Sequence, residues 1–140
     1  MRKLVLFFVT LFLITSCSMD EDNPQFHVQF VPAVEVTMPE YFVQGETYEI
    51  NVKYKRPTDC YFYDGFYYSQ DGNALVIAVQ TLVIEDANCE SLESLDPEEA
   101  SFTFSCNPDY TGTSYLFKFY TGKDGDGHNT YMEMEVPIAQ

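Results

Sequence analysis

From Tyr48 to Lys55 apolar and polar residues alternate with a strict period of two. Tyr48, Ile50, Val52 and Tyr54 fall on one side, and Glu49, Asn51, Lys53 and Lys55 on the other. That spacing places the two sets on opposite faces of a β-strand, whereas a helix of 3.6 residues per turn would scatter them. The same rhythm recurs along the chain. Phe26, Val28 and Phe30 alternate with His27 and Gln29; Phe102 and Phe104 with Ser101 and Thr103; Tyr115, Phe117 and Phe119 with Leu116, Lys118 and Tyr120; Met132, Met134 and Val136 with Glu133 and Glu135.

Turn residues punctuate these runs. Pro32 interrupts the first run and Pro39 ends it, which suits an edge strand. Residues 60–68 form an aromatic run in which Asp64-Gly65 marks a hairpin turn or a bulge. Asp71-Gly72-Asn73 is a firmer turn. Leu75 to Ile84 is apolar with Gln80 and Thr81 inside it, and its Val, Ile and Thr content favours a strand buried on both faces. Residues 85–99 are acidic, with a short helical turn or loop expected over 92–99 and a helix-like start at Asp96-Pro97-Glu98-Glu99. Thr121 to Asn129 reads as a Gly-rich loop. Seven strand runs result, with no long helical periodicity. The expected fold is all-β: an antiparallel two-sheet sandwich, immunoglobulin-like in architecture, of about seven strands. The chain contains no Trp, so the Cys-Trp-Cys core of antibody domains is missing and the likeness is architectural only.

The first residues carry a different signal. Arg2 and Lys3 precede an apolar stretch, Leu4 to Ile14, broken only by Thr10, and Ile14-Thr15-Ser16-Cys17 follows. Eleven helical residues reach about 16 Å, short of a hydrocarbon core of about 30 Å. The stretch closely resembles the signal and lipobox of bacterial lipoproteins. The resemblance implies that residues 1–16 are removed and that Cys17 carries diacylglyceryl and N-acyl (palmitate-type) chains, with each buried CH₂ contributing about 0.8 kcal/mol. Residues 17–25 become the lipidated cysteine and an acidic tether, and 26–140 the single sandwich domain. Asp20-Glu21-Asp22 resembles the acidic export signals of Bacteroidota-type surface lipoproteins, although Ser18-Met19 stands where Lys or Gln-Ala is more usual. Gly45 to Ile50, Arg56 to Cys60, Phe117 to Phe119, the Gly122–Gly127 loop and Glu135 to Ile138 resemble segments of small surface lipoproteins with no known activity. Together these imply an outer-membrane, cell-surface location.

Charge narrows the partners. The chain has 7 Lys+Arg against 22 Asp+Glu, and loss of Arg2 and Lys3 leaves 5 against 22, a net −17. Such a field repels nucleic acid and anionic head groups, so the membrane tether is expected to come from lipid.

Cys60, Cys89 and Cys106 remain after Cys17, in a compartment that permits disulfides. Cys60–Cys89 is favoured, because an antiparallel pairing of the strands around them brings their far ends together. Its 30-residue loop corresponds to about 3.5 kcal/mol of lost denatured-state entropy. Cys89–Cys106 is the other pairing considered. Under the first, Cys106 is a free or a dimer-forming thiol.

Candidate metal ligands are few. Asp124-Gly125-Asp126-Gly127-His128 has the acid and glycine content of a Ca²⁺ loop. Counted from Asp124, Asp126 takes position 3 and Glu135 position 12 of an EF-hand. Asn129, however, stands where Gly is required, and a plain hairpin turn explains the same residues. No other cofactor is expected. His27 is expected to face solvent. The motifs of nucleophile elbows, phosphate loops and zinc peptidases are absent, and Glu90, Glu93, Asp96, Glu98 and Glu99 read as a solvated charge run. Tyr61, Tyr63, Tyr67 and Tyr68 are candidate contacts for a protein or glycan, protein being favoured because sugar platforms commonly use Trp. The expected function is a non-enzymatic binding module. A small envelope hydrolase and a structural spacer or assembly factor are the alternatives.

Overall fold

A computed structural model describes residues 25–85 and 87–139 of the chain. The leader 1–16, Cys17 and the tether up to Pro24 lie outside the described residues. Among those described, eight strands form: β1 (Phe26–Val31), β2 (Ala33–Thr37), β3 (Thr47–Tyr54), β4 (Tyr61–Asp71), β5 (Ala74–Ile84), β6 (Glu98–Ser105), β7 (Ser114–Lys123) and β8 (Asn129–Pro137). They build a five-stranded sheet from β1, β4, β5, β7 and β8, and a three-stranded sheet in the order β2-β3-β6.

The eighth strand comes from Pro32. Proline cannot donate to a ladder, and the first run divides there. Phe26–Val31 pairs with β5 in the larger sheet, while Ala33–Thr37 pairs with β3 in the smaller. One stretch of chain therefore belongs to both layers. The fold also departs from a wholly antiparallel sandwich at one place: β5 and β7 run parallel over 74–77 and 116–119. The connection between them passes through β6 in the opposite sheet, which reverses the chain once and returns it in the same direction. Every other pairing of named strands is antiparallel.

β5 is the hub of the larger sheet. It pairs with β4 along one side, and along the other with β1 over 79–84 and with β7 over 74–77. Residues from Val76 to Val79 are all buried, as the apolar run requires of a strand covered on both faces. Asp64-Gly65 is a bulge inside β4, not a turn. The register shifts between Tyr63 and Gly65, and Gly65 takes φ 115°, which a side chain would resist. Gly72-Asn73 makes the tight β4–β5 turn.

The core lies between the sheets. Phe42, Ile50, Val52, Ile77, Val79, Phe117 and Phe119 are essentially inaccessible. Phe42 sits at its centre although it belongs to no strand: the rings of Phe104 and Tyr48 lie 4.9 and 5.0 Å from its own. Its N–H donates to the Pro137 carbonyl at 2.8 Å, and the Ala139 N–H donates to its carbonyl at 2.7 Å. The 38–46 connection thus both fills the core and holds the C-terminal strand.

The Cys60–Cys89 disulfide is present, and Cys106 is free. The dimer-forming role considered for Cys106 does not agree with its place, because the thiol is 1% exposed within the core cluster. The acidic segment contains one turn, in which the Leu95 N–H donates to the Leu92 carbonyl. No helix starts at Asp96. Glu98 and Glu99 enter β6 in register with Tyr54 and Lys53, because Arg56 and Tyr54 supply partners for the Glu98 carboxylate. The Gly-rich loop is also shorter than 121–129: β7 runs on to Lys123 through a bulge at Gly122, and only 124–128 form the turn.

Candidate binding face

Antiparallel partners share a face, so the register assigns each side chain of β4. Tyr61, Tyr63, Phe66 and Tyr68 oppose Val83, Thr81, Val79 and Ile77, on the side toward the smaller sheet. Phe62, Tyr67 and Ser69 oppose Leu82, Ala78 and Val76, on the outer side. The four tyrosines expected to act together are therefore divided. Tyr63 stacks on Tyr54 at 5.8 Å, and Tyr68 meets Phe102 edge-on at 5.8 Å. Both close the flank of the sandwich where the smaller sheet ends, although 44% and 48% exposed. Tyr61 packs against the core cluster. Only Tyr67 faces outward.

There Tyr67 joins residues not singled out from the sequence. Its ring lies 5.0 Å from Phe30, Phe30 lies 6.0 Å from Tyr120, and Tyr120 lies 6.3 Å from Tyr131. These four rings come from β4, β1, β7 and β8 and run across the whole outer face. They line a cleft of about 210 Å³ whose floor is Val76 and Ala78 and whose polar groups are Ser69 and Asn129. The cleft has a topological cause. β1 and β7 share one side of β5 but not the same stretch, so the sheet forks between Ile77 and Val79, at small Ala78. A wider, open depression continues from Phe30 and Tyr120 to Gln29 and Lys123. Tyr120 is 8% exposed while Tyr67 and Tyr131 are 42% and 38% exposed. Burial pushes the Tyr120 hydroxyl pKa up, and Tyr131 adds to it.

A signal for these residues was present. Tyr120 alternates in phase with Lys118, and Tyr131 in phase with Glu133 and Glu135. An aromatic ring on the polar phase of a strand is an outward ring, and two such rings opposite one another mark a built surface.

The chemistry of the remaining candidates is plain. Asp124 Oδ1 accepts from the N–H groups of Asp126 and His128, and the Gly127 N–H donates to the Asp124 carbonyl. The Asp124, Asp126 and His128 ligand atoms lie within 4.8 Å of one another, all three exposed. Glu135, position 12 of the EF-hand count, stands inside β8 and accepts from the Ser114 hydroxyl. His27 is exposed, bonded to Glu85 and Gln29. At the same end of the sandwich as His27, the Arg56 Nε donates to Glu98 at 2.7 Å and the Tyr54 hydroxyl to the same carboxylate at 3.3 Å. Desolvation first, then the Glu98 charge, pushes the Tyr54 pKa up to about 12. Arg56 also donates to the Tyr61 carbonyl, so this group ties β3, β4 and β6 together beside the disulfide loop. No protein-family model, curated protein or solved structure matches the chain.

Proposed function

We propose that the chain is a lipid-anchored, surface-displayed envelope lipoprotein. In this reading Cys17 carries the lipid and the sandwich is a non-enzymatic module that binds a protein or glycan through the outer cleft. The observation that carries the binding role is the ladder of Tyr67, Phe30, Tyr120 and Tyr131 over a preformed cleft. Rigid aromatic rings offer large contact area at low entropic cost, and a few polar groups at the rim supply orientation. The lining is aromatic, apolar and neutral polar, a set suited to contact and stacking. The anchor rests on the leader, the Ile14–Cys17 motif and the acids that follow it.

Two measurements test the two halves. Mass spectrometry of the native polypeptide is expected to find a first residue Cys17 bearing acyl chains, with loss of the sandwich when intact cells are treated with protease. An unmodified thiol, or a retained leader, would sink the anchor. Arrays of envelope proteins and surface polysaccharides, probed with the wild-type chain, are expected to retain a partner that Tyr67→Ala and Tyr131→Ala each release. Both residues are exposed, so the variants stay folded. A partner held equally by both variants would move the contact elsewhere.

A further inference from the structure

Beside the cleft, the outer face of the larger sheet ends in an apolar patch. Phe26, Val28 and Phe62 are 48%, 55% and 45% exposed. They come from β1 and β4, the strands flanking β5 at this end. Phe26 opposes Ile84, and Val28 and Phe62 both oppose Leu82. Five apolar side chains thus share one face across three strands. Few charges stand nearby: His27 opposes Val83 on the other face, the Asp64 carboxylate accepts from the Gln80 amide at 2.8 Å, and Lys123 lines the depression beside Val28. Contiguous exposed apolar side chains of this kind mark a contact surface.

The chain itself indicates what covers them. Phe26 is the first residue of β1, so the patch stands where the chain enters the fold. Residues 18–25 separate it from Cys17. Fully extended, that segment reaches about 30 Å. These residues, S-M-D-E-D-N-P-Q, are polar and acidic and are no match for an apolar surface. On the reading proposed above, which this inference requires, the lipid surface is never farther from the patch than that reach. We propose that Phe26, Val28 and Phe62 seat in the head-group boundary of the membrane that holds Cys17, so the sandwich docks by one end of its larger sheet. The net charge of −17 without the leader makes the contact an apolar one with neutral head groups, insensitive to salt. Phe30 is the next outward residue after Val28, so the cleft opens just beyond the docked edge.

The test uses the full lipidated protein in phosphatidylcholine vesicles, spin-labelled at Val28→Cys or, on the far side of the smaller sheet, at Glu49→Cys. The disulfide occupies Cys60 and Cys89 and Cys106 is buried, so each label goes to one site. Collision with oxygen, which partitions into lipid, is compared with collision with a water-soluble nickel chelate. The ratio is expected to be several-fold higher at position 28 than at 49, and unchanged in 1 M NaCl. Equal ratios on vesicles would overturn docking while leaving the anchor intact. A Val28 label already shielded in vesicle-free Cys17→Ser protein would assign the patch to a second copy, and would overturn it too. A Cys17 without acyl chains would instead remove the reading on which the docking rests.

Discussion

Phe30 and Tyr67 come from the two strands that flank β5, and their rings meet 5.0 Å apart across it. Tyr120 extends the contact inward and is nearly covered, while Tyr67 remains 42% exposed. The two ends of the ladder therefore differ energetically. Tyr120→Ala is expected to cost about 3 kcal/mol, as for other buried aromatic truncations, and Tyr67→Ala about 1 kcal/mol. Urea denaturation midpoints measure both. Equal losses would mean that the inner ring is not the anchor of the cleft.

Phe42→Ala is expected to be more damaging than any change in the cleft, at about 3–5 kcal/mol. Phe42 is 0% exposed and contacts rings from both sheets. Amide exchange at Ala139 is expected to accelerate with the loss, because its N–H donates to the Phe42 carbonyl. A loss below 1 kcal/mol would contradict the central place of the 38–46 connection.

The cysteines make a paired prediction. Cys60→Ser with Cys89→Ser is expected to lower stability by about 3.5 kcal/mol in the chain-entropy account, seen as a lower urea midpoint. Cys106, 1% exposed, is expected to resist maleimide in the native protein and to react at once in denaturant. Rapid native labelling at Cys106 would place it outside the core.

Stability is expected to fall at alkaline pH. Tyr54 has its pKa raised from 10.0 to about 12. The neutral phenol is thus favoured in the fold, and its contribution is fully present below pH 10 and lost as pH rises through about 12. Lys53 and Lys118 are raised by Glu35 and Asp71, which adds loss in the same direction. Tyr54→Phe is expected to cost about 1 kcal/mol at pH 7 through the lost bond to Glu98. It also flattens the decline between pH 10 and 12. Urea midpoints at pH 8, 10 and 11.5 check this, and an unchanged slope in the variant would remove Tyr54 as the cause.

Most strands were readable because each buries one phase of an alternating run, which is a local property. Tyr48 to Tyr54 needed nothing beyond its own spacing, while Leu75 to Ile84, covered on both faces, was legible from its Val, Ile and Thr content. The disulfide followed from strand order. What stayed hidden depended on contacts distant in sequence. Phe42 lies in a stretch with no period, and only its partners from β6 and β7 make it central. Glu98 and Glu99 resembled a helix start until Tyr54 and Lys53 stood opposite them. The tyrosines of 61–68 read as one group because Asp64-Gly65 suited a hairpin turn as well as a bulge, and only the pairing with β5 fixes the bulge that sets their faces. The cleft was hidden for the same reason, since it exists only where β1 and β7 part along β5.

Pro32 has a mechanical consequence. The stretch from Phe26 to Thr37 is hydrogen-bonded first to β5 and then to β3, on either side of that residue. A pulling force applied at Gln25 loads the ladder to β5 before it reaches the bend, and beyond the bend it is shared with the other layer. The two layers are stitched together at the end where tension would enter. Unravelling from that end must strip a strand from each in turn.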